Sequence, residues 1–195
     1  MLFTPERHSQ AIKWMAAIFS GITLALSLYL FFAYDKNQGG LQFVEKVLWV
    51  ESLGITYFNA VDGFNLPNLL LTGIVFFTGV LTMWEMQTRV KEFYVLYFVM
   101  FSGVLGLFMS MDLFFIFVWY DVSLFPMYLL IAVWGTTRKE YAAMKLTLYL
   151  LAGSALILPA IVYLFVKSGL NTFDIVALMQ PGTFSAAQQK FAFIL

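Results

Sequence analysis

The run FFIFVWYDVSLFPMYLLIAVW, residues 114–134, is apolar almost throughout and holds one acid, Asp121, with no basic residue within a helical turn or two of it. A carboxyl in that setting does one of two things. Held between desolvation, which favours the neutral acid, and a nearby cation, which favours the carboxylate, it can take up and release a proton. Kept permanently protonated, it only hydrogen-bonds a neighbouring helix. Pro126 stands just beyond it. A proline inside a helix removes one i→i−4 bond and tends to kink the axis. The carbonyl freed here is that of Val122, beside the acid, where water or a partner cation could enter.

A proton-handling acid needs a partner charge, and Lys145 in EYAAMKLTLYLLAGS is the next candidate. Two readings stand for it. Either it snorkels to the near membrane surface, or it faces the bundle as a base or ion partner, with Tyr149 one turn further along the same face. Pro159 is expected to kink this helix as well, freeing the carbonyl of Ala155. Gly153 and Ser154 are expected at a close helix–helix contact, the usual place of small residues in membranes.

Other chemistries find no residues to carry them. The chain has no Cys, which excludes thiolate ligation of an iron–sulfur cluster or a structural zinc. Its one His, His8, cannot form a pair of axial haem ligands and reads as a surface residue. No phosphate-cradling Gly loop, nucleophile–base pair or metal-spaced cluster is present. No cofactor site is expected in this chain. The 11 basic and 11 acidic residues balance, so nothing points to nucleic acid or an acidic partner.

The elements that must position Asp121 and Lys145 follow from composition. Hydrophobic residues make up 62% of the chain, charged residues 11%, and mean hydropathy is +0.84. Soluble domains are about 25% charged, and this chain cannot cover itself in water. A helix crosses the hydrocarbon core in about 20 mostly apolar residues. Segments 11–33, 66–84, 93–111, 112–134 and 141–166 meet that standard. The predicted fold is all-α, a polytopic transmembrane bundle of five spans plus the start of a sixth at 186–195, in a single membrane domain. Asp121 then lies near the midplane, where an acid costs roughly 2.5–3.5 kcal/mol on insertion scales.

The connections carry further expectations. Residues 34–65, with charges and aromatics in β-favouring alternation, read as an extramembrane connection with a short hairpin or surface helix. Asp62 is a turn or cap residue before the second span, and Pro67 falls in that span's first turn, where its missing N–H costs little. The MSMD junction, residues 109–112, leaves almost no loop, so the spans on either side lie antiparallel and adjacent. Asp112 suits the positive end of the fourth helix. Glu85, Arg89, Lys91 and Glu92 form a solvated loop with local pairs. Basic residues gather on the side of the N-terminus and of loops 85–92 and 135–140, which places that side in the cytoplasm or its equivalent. The first apolar run is too long for a cleavable signal and is expected to remain as a span. Residues 186–195 would rise about 15 Å, half the core thickness, so the chain reads as a fragment or as one piece of a split protein.

Three stretches, DGFNLPNLLLTG, SMDLFFIFVWYDVSLFPMYLLIAVWG and YAAMKLTLYLLAGSALIL, resemble in order and spacing the antiporter-like subunit M of respiratory complex I, the chain 4 family of NADH:quinone oxidoreductase. The likeness runs over most of residues 11–195. Sister antiporter-like subunits and the Mrp cation/proton antiporters share parts of the pattern. The resemblance implies a proton-translocating membrane-arm subunit built from inverted five-helix repeats, with buried ionisable groups at the midplane. Its first relay acid, in the helix before xxxPMY, maps onto Asp121, and the lysine of its A-x-K-F motif maps onto Lys145. The family's central pumping lysine belongs to the helix after Leu195, and the family's first helix precedes what this chain shows. The family acid is normally Glu; Asp here draws the carboxyl back by about one bond length. NADH, FMN, iron–sulfur clusters and quinone are implied in partner subunits, and other membrane-arm subunits and the lipid bilayer as partners. A bacterial inner membrane is the expected location, or an organellar one. The alternative is a subunit of an Mrp-type antiporter without redox chemistry, and a third reading is a non-catalytic assembly element.

Overall fold

Apolar runs too long to bury in a domain of this size fold as long helices, because in lipid each backbone N–H must find its carbonyl within the segment. The computed structural model describes residues 9–194; His8, read above as a surface residue, lies outside them. Five helices have the length and apolarity to cross a membrane: α1 (Ser9–Ala33), α2 (Asn65–Thr82), α3 (Val90–Met109), α4 (Leu113–Trp134) and α5 (Lys139–Ser168). Their bounds match the predicted spans to within three residues. Two short helices follow, α6 (Ile175–Leu178) and α7 (Ala186–Ile194).

The polar connection after α1 folds as a hairpin. Strands β1 (Gln42–Val50) and β2 (Ile55–Val61) pair antiparallel across a one-turn 3₁₀ segment, Glu51–Leu53, that closes on Gly54 in the left-handed region. The pairing does not end at β2. Met111 N donates to Phe58 O (2.7 Å), Leu113 N to Phe173 O (3.0 Å) and Ile175 N to Met111 O (3.0 Å). The hairpin, the α3–α4 junction and the segment before α6 thus form one backbone ladder at one end of the bundle.

Asp112 is the hub of that ladder. It is fully buried and caps α4, its Oδ1 accepting from Phe114 N (2.9 Å) and Phe115 N (3.3 Å), while Oδ2 accepts from Thr56 N of β2 (3.1 Å). Asp174, paired beside it, caps α6 in the same way and takes Lys46 Nζ of β1 at 2.6 Å. Burial pushes the Asp112 carboxyl above its ordinary range; the three backbone donors offset this and the neighbouring Asp174 charge adds to it.

The core between α1, α2 and α3 is aromatic. Phe76 stacks on Phe101 (ring centroids 4.6 Å apart) and Phe93 on Tyr97 (5.6 Å), packed with Ile12, Ala16, Val80 and Tyr94. Asp62 caps α2 as expected, accepting from Phe64 N and Asn65 N.

Candidate functional site

Asp121 is the ninth residue of α4, a helix that runs unbroken through the buried Pro126. What fixes α4 is α3. A Cβ at Gly103 would meet Trp119 O and Ser123 N at 2.9 Å, and one at Gly106 would drive into the Trp119 ring. Only glycine permits this approach, and it locks α4 along Trp119 and Ser123. Asp121 is two residues from each, so its side chain projects away from α3. Sequence reasoning missed both glycines, although their i, i+3 spacing in SGVLG was a signal for a close helix contact.

The residue as a whole is half-buried, yet Oδ1 is enclosed and has no hydrogen-bond partner among the described residues. The indole Nε1 of Trp119 is the other buried side-chain atom left unpartnered among them. Buried polar groups are almost always paired, so each such exception calls for a cause.

α4 packs also against α5. Counting about 1.5 Å per residue from the α4–α5 connection, Asp121 and Ser154 come to a similar depth, about 20 Å in. Ser154 is buried, and its hydroxyl donates to Leu151 O at 3.1 Å. The expectation of a small-residue contact holds at Ser154 and fails at Gly153, around which the space is open. The buried stripe of α5, Ala143, Ser154 and Ile161, repeats at helical spacing and leaves Gly153 off the contact face.

Lys145 does not join Asp121; the two form no ion pair, and Lys145 sits about 10 Å closer to the connection along the helix axes. It is exposed on a different face of α5, with Nζ 5.9 Å from the Tyr141 ring centroid. Tyr141, Lys145 and Tyr149, each one turn apart, line a cavity of about 470 Å³ together with Met144, Leu148 and Ala152. The predicted pairing of Lys145 and Tyr149 on one face is present. In the solvated loop, Arg89 and Glu92 approach to 3.7 Å. No group of His, Cys, Asp and Glu among the described residues has metal-binding geometry.

The arrangement can therefore hold a proton on one isolated carboxyl midway along an apolar helix.

Residues 110–195, which include Asp121 and Lys145, match the family described as NADH:quinone oxidoreductase/Mrp antiporter, TM. The chain is 34% identical over 178 residues to an NAD(P)H-quinone oxidoreductase chain 4 of Trichodesmium erythraeum, covering 90% of this chain and 32% of that protein. It is 36% identical to a chain 4 of Nostoc, covering 89% of this chain and 32% of the relative. The chain thus spans about a third of the length of these relatives. In fold it is similar to a chain of respiratory complex I from Thermus thermophilus with bound NADH (TM-score 0.76, 24% identity, 88% of this chain and 36% of that one). It is similar also to a chain of the Mrp complex from Dietzia (TM-score 0.71, 19% identity, 97% and 22%).

Proposed function

We propose, from the match of residues 110–195 to the NADH:quinone oxidoreductase/Mrp antiporter family, that the chain is part of the proton-translocating membrane arm of an NADH:quinone oxidoreductase. The observation that carries this reading is Asp121: an acid in mid-span whose buried Oδ1 has no partner among the described residues, within the matched segment. A carboxyl left unpaired at such depth is a poor structural element and a good proton carrier.

In this reading Asp121 accepts a proton when water or a cation reaches it and gives it up when that neighbour withdraws. Lys145, on the open face of α5, is the second ionisable group of the relay. Pro126 and Pro159 loosen the two helices, Pro126 by freeing the Val122 carbonyl beside the acid. NADH, FMN, the iron–sulfur clusters and quinone belong to partner subunits, and this chain's own part is to hold and pass a proton. Its partners are other membrane-arm subunits, including sister antiporter-like chains. The membrane is a bacterial inner membrane, with the start of α1 and the basic loops on the cytoplasmic side. The chain 4 relatives favour this redox-driven reading over an Mrp-type antiporter.

Replacing Asp121 by Asn in the assembled complex and measuring protons moved per NADH oxidised tests the proposal. Pumping is expected to fall severalfold in Asp121→Asn and to persist in Asp121→Glu; unchanged pumping in Asp121→Asn refutes the relay role. Exchange driven by a sodium gradient, without NADH, would favour the antiporter alternative.

A further inference from the structure

At the end of the bundle opposite the hairpin, α1 and α2 leave an apolar groove of about 400 Å³, lined by Trp14, Ala17 and Ile18 of α1 and by Phe77, Leu81 and Trp84 from α2 and the residues after it. No polar atom lines it. Trp14 and Trp84 meet edge to face at 5.2 Å, as aromatic side chains do at the headgroup level of a bilayer. From there to Phe77 and Ile18 the groove descends about one to two helical turns toward the membrane interior. Trp14 and Ile18 are more than half exposed among the described residues.

The basic group at this mouth is unusual. Lys13 is only 6% exposed, and its Nζ donates to Trp84 O at 2.6 Å, the carbonyl of a groove-lining residue just past the C-terminal end of α2. No carboxylate pairs with it among the described residues. A cation at a helix C-terminus is favourable, but one partner uses one of an ammonium's three donors. Arg89, just before α3, and Lys91, in its first turn, follow Trp84, so the side is basic.

We infer that this groove binds one phospholipid of anionic headgroup, with the first methylenes of an acyl chain between Trp14, Ile18, Phe77 and Leu81 and the headgroup drawn over the mouth by the Lys13 charge. The shape takes a chain, the apolar lining rejects a polar ligand, and the buried cation selects the headgroup's sign. The inference rests on α1 and α2 spanning the membrane and is independent of the proton relay.

The test uses membranes containing the full chain. Phosphatidylglycerol and phosphatidylcholine carrying the same photoactivatable acyl chain are added at equal fraction and irradiated, and adducts are mapped by mass spectrometry. Val162, an exposed residue of α5, serves as the reference for unselective lipid contact. Adducts at Ile18, Phe77 and Leu81 are expected to favour phosphatidylglycerol about fivefold over the ratio at Val162, the effect of one basic residue near an anionic surface. Lys13→Gln is expected to bring the ratio to that of Val162, and Lys13→Arg to keep it. Ala17→Trp, which fills the groove and leaves Lys13 in place, is expected to abolish adducts from both lipids. A groove ratio equal to that at Val162, an absence of adducts in the unsubstituted chain, or a preference that survives Lys13→Gln would each overturn the inference. Should Lys13→Gln fail to insert, the wild-type ratio and Ala17→Trp still decide it.

Discussion

Replacing Asp112 by Ala tests whether the ladder at the hairpin end holds α4 in place. The carboxylate is fully buried and serves three donors, Phe114 N, Phe115 N and Thr56 N. Losing an N-cap costs about 0.5–2 kcal/mol, and orphaning the buried Thr56 N–H costs about 1–3 kcal/mol. Relief from burying a charge beside Asp174 offsets part of this, leaving a net loss of about 2–4 kcal/mol. Asp112→Asn separates the contributions. Its remaining oxygen keeps the cap, while its amide faces Thr56 N–H donor to donor, so about 1–3 kcal/mol goes. The assay is thermal unfolding in mild detergent, joined to hydrogen exchange at Thr56, Phe114 and Phe115. Protection should fall at all three in Asp112→Ala and at Thr56 alone in Asp112→Asn. The carboxyl also sets a pH dependence. Because burial raises its folded value above the ordinary 3.8, its contribution is complete below that value and is lost as pH rises through the folded one. Relative to Asp112→Asn, the unsubstituted chain should lose stability across that window as pH rises. A loss under about 1 kcal/mol in Asp112→Ala, or intact protection at Thr56, would refute the reasoning.

Three other outcomes are expected. Gly106→Leu must displace the Trp119 ring or part α3 from α4; overpacking of this kind costs about 1–3 kcal/mol, and proton pumping should fall in complexes that still assemble. Lys46→Met breaks the 2.6 Å pair with Asp174, in which one partner is half exposed and the other buried. Its cost should lie between those of an exposed and a buried pair, about 1–2 kcal/mol, and salt titration should show a flatter slope than in the unsubstituted chain. Arg138 precedes α5 with φ of 48°, so Arg138→Gly should raise the unfolding temperature, relieving about 1 kcal/mol of left-handed strain.

The five helices were legible because lipid imposes a single rule, long apolar runs, that needs no knowledge of neighbours. The hairpin was half legible: alternation within residues 34–65 allowed a hairpin or a surface helix alike, and only the pairing of β1 with β2 decides between them. Asp112 reads in the sequence only as an acid suited to the positive end of α4. Its third ligand lies 56 residues away in β2, and no local pattern announces a contact of that range. Lys13 counted only as a basic residue near a membrane edge, and its burial against Trp84 O depends on how α1 meets the end of α2. Gly153 was misplaced for a related reason. Small size permits a close contact without selecting the face, and the buried stripe through Ala143, Ser154 and Ile161 passes beside it. Asp121 and Lys145 stand out in the sequence as ionisable groups within apolar runs, yet the faces they occupy could not be read without the packing.

Two acids of the same stretch show how such groups divide between folding and chemistry. Asp112 and Asp121 are nine positions apart, and each is costly to bury. At Asp112 the fold supplies the compensation, three backbone donors at 2.9–3.3 Å, so that both of its oxygens are engaged. At Asp121 the fold supplies an enclosed oxygen and nothing to satisfy it. An alanine or leucine there would spare roughly 2.5–3.5 kcal/mol of insertion cost. No group among the described residues holds that oxygen, and the proposed relay gives the acid a use that packing within them does not. The glycines of α3 make the same point from the other side. They fix α4 along Trp119 and Ser123 and keep the acid's face of the helix clear of α3, as a site visited by a mobile partner requires.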